Sequence, residues 1–357
     1  MRLSDFDFEL PPERIAQRPA ERRDAARLLV EQLPDGPRRD RRFADLVEEL
    51  RSGDLLVLND VRVRPARLHG ARPTGGRVEL LLIERVPGEA PRYLAMARPA
   101  AKLREGMELR LEGRSSGEFS VRCLERPIGP DGEPEPHWVI ELLGDEEALF
   151  ANCGELPLPP YIERPAGPDA EDAERYQTVY ARSGLAVAAP TAGLHFTPEL
   201  LARLGDAGVE RANLTLDVGP GTFRPVQHEN LDEHPMHAES FELPAATVEA
   251  VQRTRAAGGR VIACGTTTVR ALESAARIDG LQPGRRTTRL FLKPGERFHV
   301  VDGMITNFHL PKSTLLMLVA AFAGIERMRA AYQHAIEQGY RFYSYGDASL
   351  WLREPQS

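Results

Sequence analysis

The pattern of apolar and polar positions, interrupted by glycine and proline, divides the chain into three stretches. In residues 1–58, it predicts a helix at Phe43–Leu50 and a buried strand at Asp54–Leu58, where the apolar run is continuous. Residues 59–150 carry short β-type runs instead. These runs are Arg77–Arg85, Tyr93–Ala97, Met107–Leu111, Phe119–Leu124 and His137–Leu143. Short strands separated by turn residues are typical of a small barrel or sandwich.

The third stretch, residues 151–357, alternates between helix and strand signals. Ala245–Ala257 predicts a helix, Arg260–Cys264 a buried strand, and Val269–Arg277 the next helix. Thr197 precedes Pro198 as an N-cap precedes the first residue of a helix. This alternation indicates an α/β layer with mainly parallel strands. The barrel at 59–150 is therefore predicted to be an insertion within one α/β domain, made of residues 1–58 and 151–357.

Composition indicates an ordinary globular protein, with 42% hydrophobic and 28% charged residues. The three cysteines are far apart and lack metal-ligand spacing, which argues against a disulfide scaffold or a zinc ribbon. The N-terminus lacks the layout of a secretory signal. The longest apolar run, Leu315–Ile325, is too short to span a bilayer. We therefore expect a cytoplasmic monomer without a membrane partner.

Charge is unevenly distributed along the chain. The net charge of −7 does not indicate a nucleic-acid binder. Residues 251–300, however, carry ten Lys/Arg against three Asp/Glu, so one basic segment lies in an otherwise acidic chain. Such a segment either holds a polyanion or forms a solvated arginine-rich surface. Charge alone leaves both interpretations open.

Two candidate site segments combine glycine with small hydroxyl residues. Residues 188–197 lead into a helix N-terminus, where backbone N–H groups can face an anion and His195 lies close by. The alternative is a loop whose histidine packs against the helix cap. Residues 214–223 end in glycines that allow a ligand to approach the backbone, although a plain turn would look the same. This segment contains Asp217, Gly219, Gly221 and Thr222.

Residues 233–239 place two imidazoles and two carboxylates within a short distance along the chain: Glu233, His234, His237 and Glu239. They could form a metal site. Pro235, however, argues against a helix that would present both imidazoles on one face. General acid/base chemistry is the favoured interpretation, because histidine titrates near neutral pH.

Two further segments predict ligand contacts at helix starts. Residues 302–313 lead into the apolar helix, with Ser313 as its N-cap and Lys312 beside it, which suits a carboxylate or phosphate. Around Gly265, a strand leads through a turn into a helix, so a ligand contact is likewise predicted at the start of that helix. The turn lacks the lysine of a Walker loop, so a nucleoside triphosphate site is not predicted.

Taken in order, these segments resemble the S-adenosylmethionine:tRNA ribosyltransferase-isomerase family of queuosine biosynthesis. The matching words are Asn59-Asp60 with Arg62 and Pro65-Ala66-Arg67, then Gly154–Ile162, Glu174–Tyr180, Ala189–Thr197, Gly265–Ser274, Ile305–Thr314 and Tyr345–Ala348. The chain departs from the family pattern at Asp217, where histidine is expected, and less seriously at Thr268 and Arg289. If position 217 acts as an acid or base, it must act here as a carboxylate.

The resemblance implies both a fold and a reaction. The fold is a three-layer α/β/α domain interrupted by a six-stranded β-barrel. In the reaction, the ribosyl group of S-adenosylmethionine is transferred and isomerised onto 7-aminomethyl-7-deazaguanine at the wobble position of tRNA. The products are epoxyqueuosine-tRNA, adenine and methionine. S-adenosylmethionine is a substrate, and no metal or further cofactor is implied.

The chemistry implied by the resemblance suggests roles for individual residues. The sulfonium acidifies the C5′ protons, so a base is needed, for which His195 or His237 is proposed first and His309 after them. Asp217 or Glu239 would protonate the departing adenine, and Lys312 or the amides at 266–267 would hold the methionine carboxylate. The proposed substrate-binding residues are Asn59, Asp60, Arg62, Thr191, Gly193, Gly219, Gly221, Thr222, Gly265, Thr266, Thr267, Arg270, Asn307, Lys312 and Asp347.

The tRNA phosphates are expected on the basic segment 251–300, with Arg62, Arg64 and Arg67 as a second candidate patch. Two other classes of function compete with the transferase. One is a metal-dependent hydrolase that uses His234, His237 and His309. The other is a noncatalytic RNA-binding module that reads RNA with its barrel.

Overall fold

The structure is a computed structural model that describes residues 1–114, 117–128, 134–219, 229–231, 236 and 238–354. Its strands are β1 Arg27–Gln32, β2 Arg38–Arg42, β3 Leu55–Asn59, β4 Val61–Val63, β5 Arg67–Ala71, β6 Arg77–Arg85, β7 Arg92–Arg98, β8 Glu108–Leu111, β9 Ser120–Glu125, β10 His137–Leu143, β11 Gly154–Glu155, β12 Ser183–Ala186, β13 Glu210–Leu216, β14 Glu239–Leu243, β15 Val261–Cys264, β16 Gly284–Thr288, β17 Gly303–Asn307 and β18 Ala348–Leu352. Its α-helices are α1 Leu46–Glu49, α2 Glu146–Cys153, α3 Ala170–Arg175, α4 Pro198–Asp206, α5 Ala245–Ala256, α6 Thr266–Asp279, α7 Thr314–Ala323 and α8 Ile325–Glu337.

Within the described ranges, a nine-stranded mixed sheet forms the centre of the molecule, in the order β16-β14-β13-β3-β15-β17-β18-β1-β2. Strands β13, β3, β15 and β17 are parallel neighbours, whereas β18 runs antiparallel to β17. The parallel strands therefore end at the same edge of the sheet, which is the usual place for a ligand in α/β folds.

Helices cover both faces of this sheet. Successive side chains of a buried strand point in opposite directions, so both faces carry apolar side chains that must be covered. Leu55 and Val57 of β3 pack in the core that contains residues of α5, α6, α7 and α8. Leu56 and Leu58 pack on the other face, with Phe43 and residues of α1 and α4. The result is the expected three-layer α/β/α arrangement.

The inserted part is a closed antiparallel barrel of six strands, in the order β5-β6-β7-β10-β9-β8, with β8 pairing back to β5. The short strand β11 extends it beside β5. Along strand β6, the buried Val78, Leu80 and Leu82 alternate with less buried residues, which include the apolar Leu81 and Ile83. At the closure, Gly70 is required, because a Cβ there would lie 2.5 Å from the carbonyl oxygen of Arg110.

Most predicted elements are confirmed within a residue or two, and β6 and β10 agree at both ends. The predicted caps are also present: Thr197 accepts a hydrogen bond from Leu200 N at the start of α4, and Ser313 accepts one from Leu316 N at the start of α7. The apolar patterns did not predict strands β1, β2, β5 and β18. Strands β1, β2 and β18 form the far side of the sheet, and β5 is the sixth strand of the barrel.

Candidate functional site

A cleft lies where the parallel strands end. Four loops meet there: the segment after β12, the turn after β15, the segment after β17, and the turn before β18. The cleft is lined by Tyr161, Ala188, Ala189, Pro190, Thr191, Ala192, Val218, Gly265, Thr266, Thr267, Thr306, Asn307, His309, Leu310, Ser313, Leu315, Tyr343 and Ser344. Four of the segments singled out in the sequence thus contribute to one site, one of them through Val218 alone.

The N-terminus of α6 faces this cleft. Gly265 precedes the helix with a φ of 91°, a conformation that favours glycine, and its N–H donates to the carbonyl of Ile305 over 2.7 Å. No described side chain caps the helix. The hydroxyl of Thr268 donates to the carbonyl of Cys264 over 2.6 Å, so Thr266 and Thr267 are the hydroxyl residues that reach the cleft. The positive end of a 14-residue helix is thereby available to an anionic ligand group.

Asn307 connects two of the loops at the cleft wall. Its Oδ1 accepts a hydrogen bond from Thr191 Oγ1 over 2.8 Å, and its Nδ2 donates to the carbonyl of Tyr343 over 3.2 Å. The same Nδ2 lies 3.4 Å from His195 Nε2. Because one amide contacts both the segment 191–195 and the turn at Tyr343, it determines how those two segments are positioned at the cleft.

His309 and His195 occupy different surroundings. His309 lines the cleft, and its Nε2 lies 2.8 Å from Thr306 Oγ1. Burial lowers the pKa of His309 to about 3. His195 lies behind Asn307 against the ring of Phe43, with its ring centroid 5.0 Å away. Burial also lowers the pKa of His195, to about 4, although the nearby Asp347 carboxylate acts in the opposite direction. Both imidazoles are therefore neutral at pH 7.

Glu239 and Arg270 form a buried ion pair beside the cleft. Glu239 Oε1 accepts from Gly219 N over 3.4 Å, which ties the pair to the segment after β13. Arg270 Nε donates to the carbonyl of Leu290 over 3.0 Å. Arg270 Nη2 has no hydrogen-bond partner in the part of the chain that the structure describes. Neither side chain lines the cleft.

Several residues proposed as substrate-binding make structural contacts outside the cleft lining. Asn59 joins β3 to β13, because it accepts from Leu216 N over 3.0 Å and donates to Leu216 O over 3.1 Å. Asp60 accepts from Thr215 Oγ1 over 2.7 Å, and burial raises the pKa of its carboxyl. Gly193 packs against Tyr180, whose hydroxyl would lie 2.0 Å from a Cβ at position 193.

Three charged residues from the proposed set are also outside the cleft lining. Lys312 pairs with Asp7 over 2.8 Å, so its ammonium has a carboxylate partner on the N-terminal segment. Asp347 accepts backbone N–H groups from Arg27 and Arg341 over 2.9 and 2.8 Å. Arg62 is exposed on β4.

Asp217 lies 3.9 Å from Arg285, on the polar face of the segment that follows β13. His234, His237, Gly221 and Thr222 lie outside the described residues, as does Glu233.

The apolar patterns did not single out two tyrosines that line the cleft. The rings of Tyr161 and Tyr343 have centroids 3.8 Å apart, and Tyr161 Oη hydrogen-bonds Ser344 Oγ. Burial raises the pKa of both phenols above the ordinary value, so both remain protonated at neutral pH. The sequence does contain a signal for these tyrosines. They occur at 161 and within 343–345, in loops that are otherwise polar and give an aromatic ring little to pack against.

Two kinds of feature are absent from the described residues. Among these residues, no group of three or more His, Cys, Asp or Glu side chains is arranged to hold a metal ion. The same ranges contain no helix of the length and apolarity that crossing a membrane requires.

The fold and the cleft define an α/β protein with a cleft at the strand ends, beside a helix N-terminus, which is the usual position of a ligand in such folds. The family model described as "Queuosine biosynthesis protein" matches residues 3–351. The chain therefore belongs to this family. It is an enzyme of the transferase class, since its full-length relatives carry the name S-adenosylmethionine:tRNA ribosyltransferase-isomerase.

The relative from Anaeromyxobacter sp. (strain K) is 51% identical over 355 residues, which cover 99% of this chain and 100% of the relative. The relative from Methylobacterium sp. (strain 4-46) is 54% identical over 364 residues and covers 99% of both chains. Among solved structures, the S-adenosylmethionine tRNA ribosyltransferase from Thermotoga maritima is 37% identical, with a TM-score of 0.55 and coverage of 98% of this chain and 100% of that chain.

Proposed function

We propose that the protein transfers and isomerises the ribosyl group of S-adenosylmethionine onto 7-aminomethyl-7-deazaguanine at the tRNA wobble position. The products would be epoxyqueuosine-tRNA, adenine and methionine. The observation that carries this proposal is the convergence of an uncapped helix N-terminus, a neutral histidine and two tyrosines on one cleft, in a chain whose full-length relatives bear that name. The enzyme would act as a monomer in the cytoplasm, on tRNA.

The N-terminus of α6 would hold the methionine carboxylate. Backbone N–H groups at a helix start stabilise a negative charge, and Thr266 and Thr267 add hydroxyls at the same point. Lys312 is less suited to this role, because its ammonium is paired with Asp7. The methionine end would then extend from α6 towards the middle of the cleft.

His309 would accept the C5′ proton. The adjacent sulfonium draws electrons from C5′ and makes this proton removable, and His309 is neutral, so it offers a ring nitrogen lone pair. Thr306, bonded to Nε2, would fix the orientation of the ring. His195 would act as a positioning residue through Asn307, and His237 remains a proposed base outside the described residues.

Adenine and the deazaguanine base both need flat, apolar contact surfaces, which Tyr161 and Tyr343 would supply. As the bond to adenine breaks, an acid must protonate a ring nitrogen, a role proposed for Asp217. Glu239, the other candidate, is less suited, because it is buried in an ion pair with Arg270. The aminomethyl nitrogen of the tRNA base forms the new bond to the ribose-derived carbon as one of its N–H bonds breaks, and that proton passes to solvent. Methionine leaves with the electron pair of its bond to C5′, which neutralises the sulfonium.

Mass spectrometry of an anticodon stem-loop tests the proposal. The stem-loop carries 7-aminomethyl-7-deazaguanine and is incubated with the protein and S-adenosylmethionine. A mass gain equal to the epoxycyclopentanediol, together with free adenine and methionine, is the expected result. No gain from a folded protein with authentic substrate would contradict the proposal and implicate Asp217 in altered activity. Turnover that EDTA abolishes would instead support the metal-dependent hydrolase.

The role of His309 has its own test. His309→Gln should lower kcat by about two to four orders of magnitude, the usual contribution of a general base. His69→Gln is the matched control, because His69 lies on the barrel with a side chain 41% exposed. Equal turnover by the two variants would remove His309 from the proton transfer.

A further inference from the structure

The strand β13 presents two chemically different faces. Leu214, Leu216 and the following Val218 point into the hydrophobic core. The residues between them are polar, because side chains alternate along a strand. These are Arg211, Asn213, Thr215 and Asp217. From 211 to 217 this polar row is about 20 Å long, at roughly 3.3 Å per residue.

The first part of this row lines a groove that is separate from the cleft. Helix α4 forms one side, through Leu201, and the segment before β12 forms the other, through Val179, Tyr180 and Arg182. The volume of the groove is about 680 Å³. No Asp or Glu is among the described residues that line it, although the chain as a whole has a net charge of −7.

The two arginines of the groove have no carboxylate partner within 4.0 Å in the part of the chain that the structure describes. This distinguishes them from two of the three arginines outside segment 251–300 that were first considered for tRNA binding, although the third, Arg62, is also exposed on β4. Arg64 pairs with Glu146 and Glu147, and Arg67 pairs with Glu79 and Glu155.

Several arginines of the basic segment 251–300 also form ion pairs within the protein. Arg253 pairs with Glu210, Arg260 with the buried Asp54, and Arg277 with Glu273. Arg182 and Arg211 are therefore available to an anion from outside the protein.

The remaining surface of the groove suits nucleotides. Val179 is 40% exposed, and with the ring of Tyr180 and Leu201 it forms an apolar floor on which bases can stack. Asn213 adds a polar side chain to the lining of the groove. Cationic residues beside an apolar floor are the usual features of single-strand binding sites.

The groove adjoins the cleft through Tyr180. The hydroxyl of this residue reaches the backbone at Gly193, in the loop that begins with Thr191 on the cleft wall. It also lies beside Cys264, the residue before Gly265 at the start of α6. Tyr180 therefore contacts both the groove and the loop that forms the cleft wall.

We propose that the groove between Arg182 and Arg211 binds the sugar-phosphate backbone of the single-stranded RNA next to the modified nucleotide. The two guanidiniums would contact phosphates, and Tyr180 would support a neighbouring base. This inference rests on the proposed function, because it assigns part of the tRNA footprint for that reaction.

The test measures binding of the anticodon stem-loop by fluorescence anisotropy at several salt concentrations. The groove variant is Arg182→Glu/Arg211→Glu, and the control is Arg77→Glu/Arg104→Glu. The control makes the same charge change at two exposed barrel arginines. Two lost phosphate contacts should reduce the slope of log affinity against log salt by about 1.4. We expect at least a tenfold weaker affinity for the groove variant and a smaller change for the control.

Two further measurements separate binding from folding. The affinity for S-adenosylmethionine and the melting temperature of the groove variant should stay close to those of the wild type. If the double reversal is unstable, Arg182→Gln/Arg211→Gln replaces it, with the same expected reduction of slope. The KM of the groove variant for the stem-loop should rise, while its kcat at saturating RNA should remain near that of the wild type.

The possible outcomes distinguish the groove from the function. Product formation by the wild type, with a groove variant whose affinity and slope match the control, would overturn the groove and leave the proposed reaction standing. Weakening confined to the barrel control would assign RNA binding to the barrel instead. A wild-type protein that yields no product counts against the proposed function, whatever the variants bind.

Discussion

Removing either member of the Glu239–Arg270 pair should destabilise the protein strongly. The two side chains are only 5% and 7% exposed, so the remaining charge would stay buried without its counter-ion. Breaking a buried pair in this way costs about 3–5 kcal/mol. The same loss is expected for Glu239→Leu and for Arg270→Met, because each leaves one uncompensated charge.

The double variant separates this cost from the net contribution of the pair. With both charges replaced by apolar side chains, no buried charge remains, and such replacements are often neutral or stabilising. The double variant Glu239→Leu/Arg270→Met should therefore lose much less stability than the two single variants together, with a coupling of about 2 kcal/mol or more.

Urea-induced unfolding, followed by circular dichroism, measures these free energies. The matched control is the exposed Arg253–Glu210 pair, which has a comparable contact of 2.7 Å but side chains 59% and 48% exposed. Removing one member there should cost less than about 1 kcal/mol, since solvent screens exposed pairs. Equal losses at the two pairs, or strictly additive losses at Glu239 and Arg270, would refute the reasoning.

Two other predictions concern pH and packing. Because folding lowers the pKa of His195 to about 4 and that of His309 to about 3, the unfolded chain binds protons first below about pH 6.5. Melting temperature should therefore fall as pH decreases from 7 to 4, with a loss of about 3 kcal/mol from His195 alone, and His195→Gln should weaken this dependence. Gly193→Ala should destabilise by about 1–3 kcal/mol, because the new Cβ meets the hydroxyl of Tyr180. Gly205→Ala, in α4 with no atom within 4 Å of the new Cβ, should instead stabilise by about 0.5–1 kcal/mol, and thermal melting measures both changes.

The barrel and the central α/β units could be predicted because their patterns are local. Strands β6 and β10 are short runs rich in apolar residues and bounded by turn residues, which is typical of a strand. Strand β2 has no such signature, since Arg38–Arg42 contains only arginine and aspartate. It forms because β1 pairs with it, and β1 is itself held by β18 from the other end of the chain. Single-sequence patterns do not contain that pairing.

The loops that form the site could be predicted from the sequence, but the orientation of their side chains could not. The segments around residues 191, 265 and 307 meet at the cleft, as strand–turn–helix logic suggests. Which histidine faces the ligand depends on Asn307, whose amide separates His195 from the cleft. Likewise, the partner of Lys312 is Asp7, from a distant segment. Such contacts follow from tertiary packing and leave no local pattern.

The position of β18 has a consequence for how the protein is made. This strand is buried throughout and lies between β17 and β1, with Trp351 in register with Met304 on one side and Glu31 on the other. The ribosome synthesises it after every other strand of the sheet. Until then, β1 and β17 each present an unpaired edge, the kind of surface from which aggregation begins. The nascent chain therefore depends on its final strand to join the two parts of its sheet, and premature termination before residue 348 would leave both edges open.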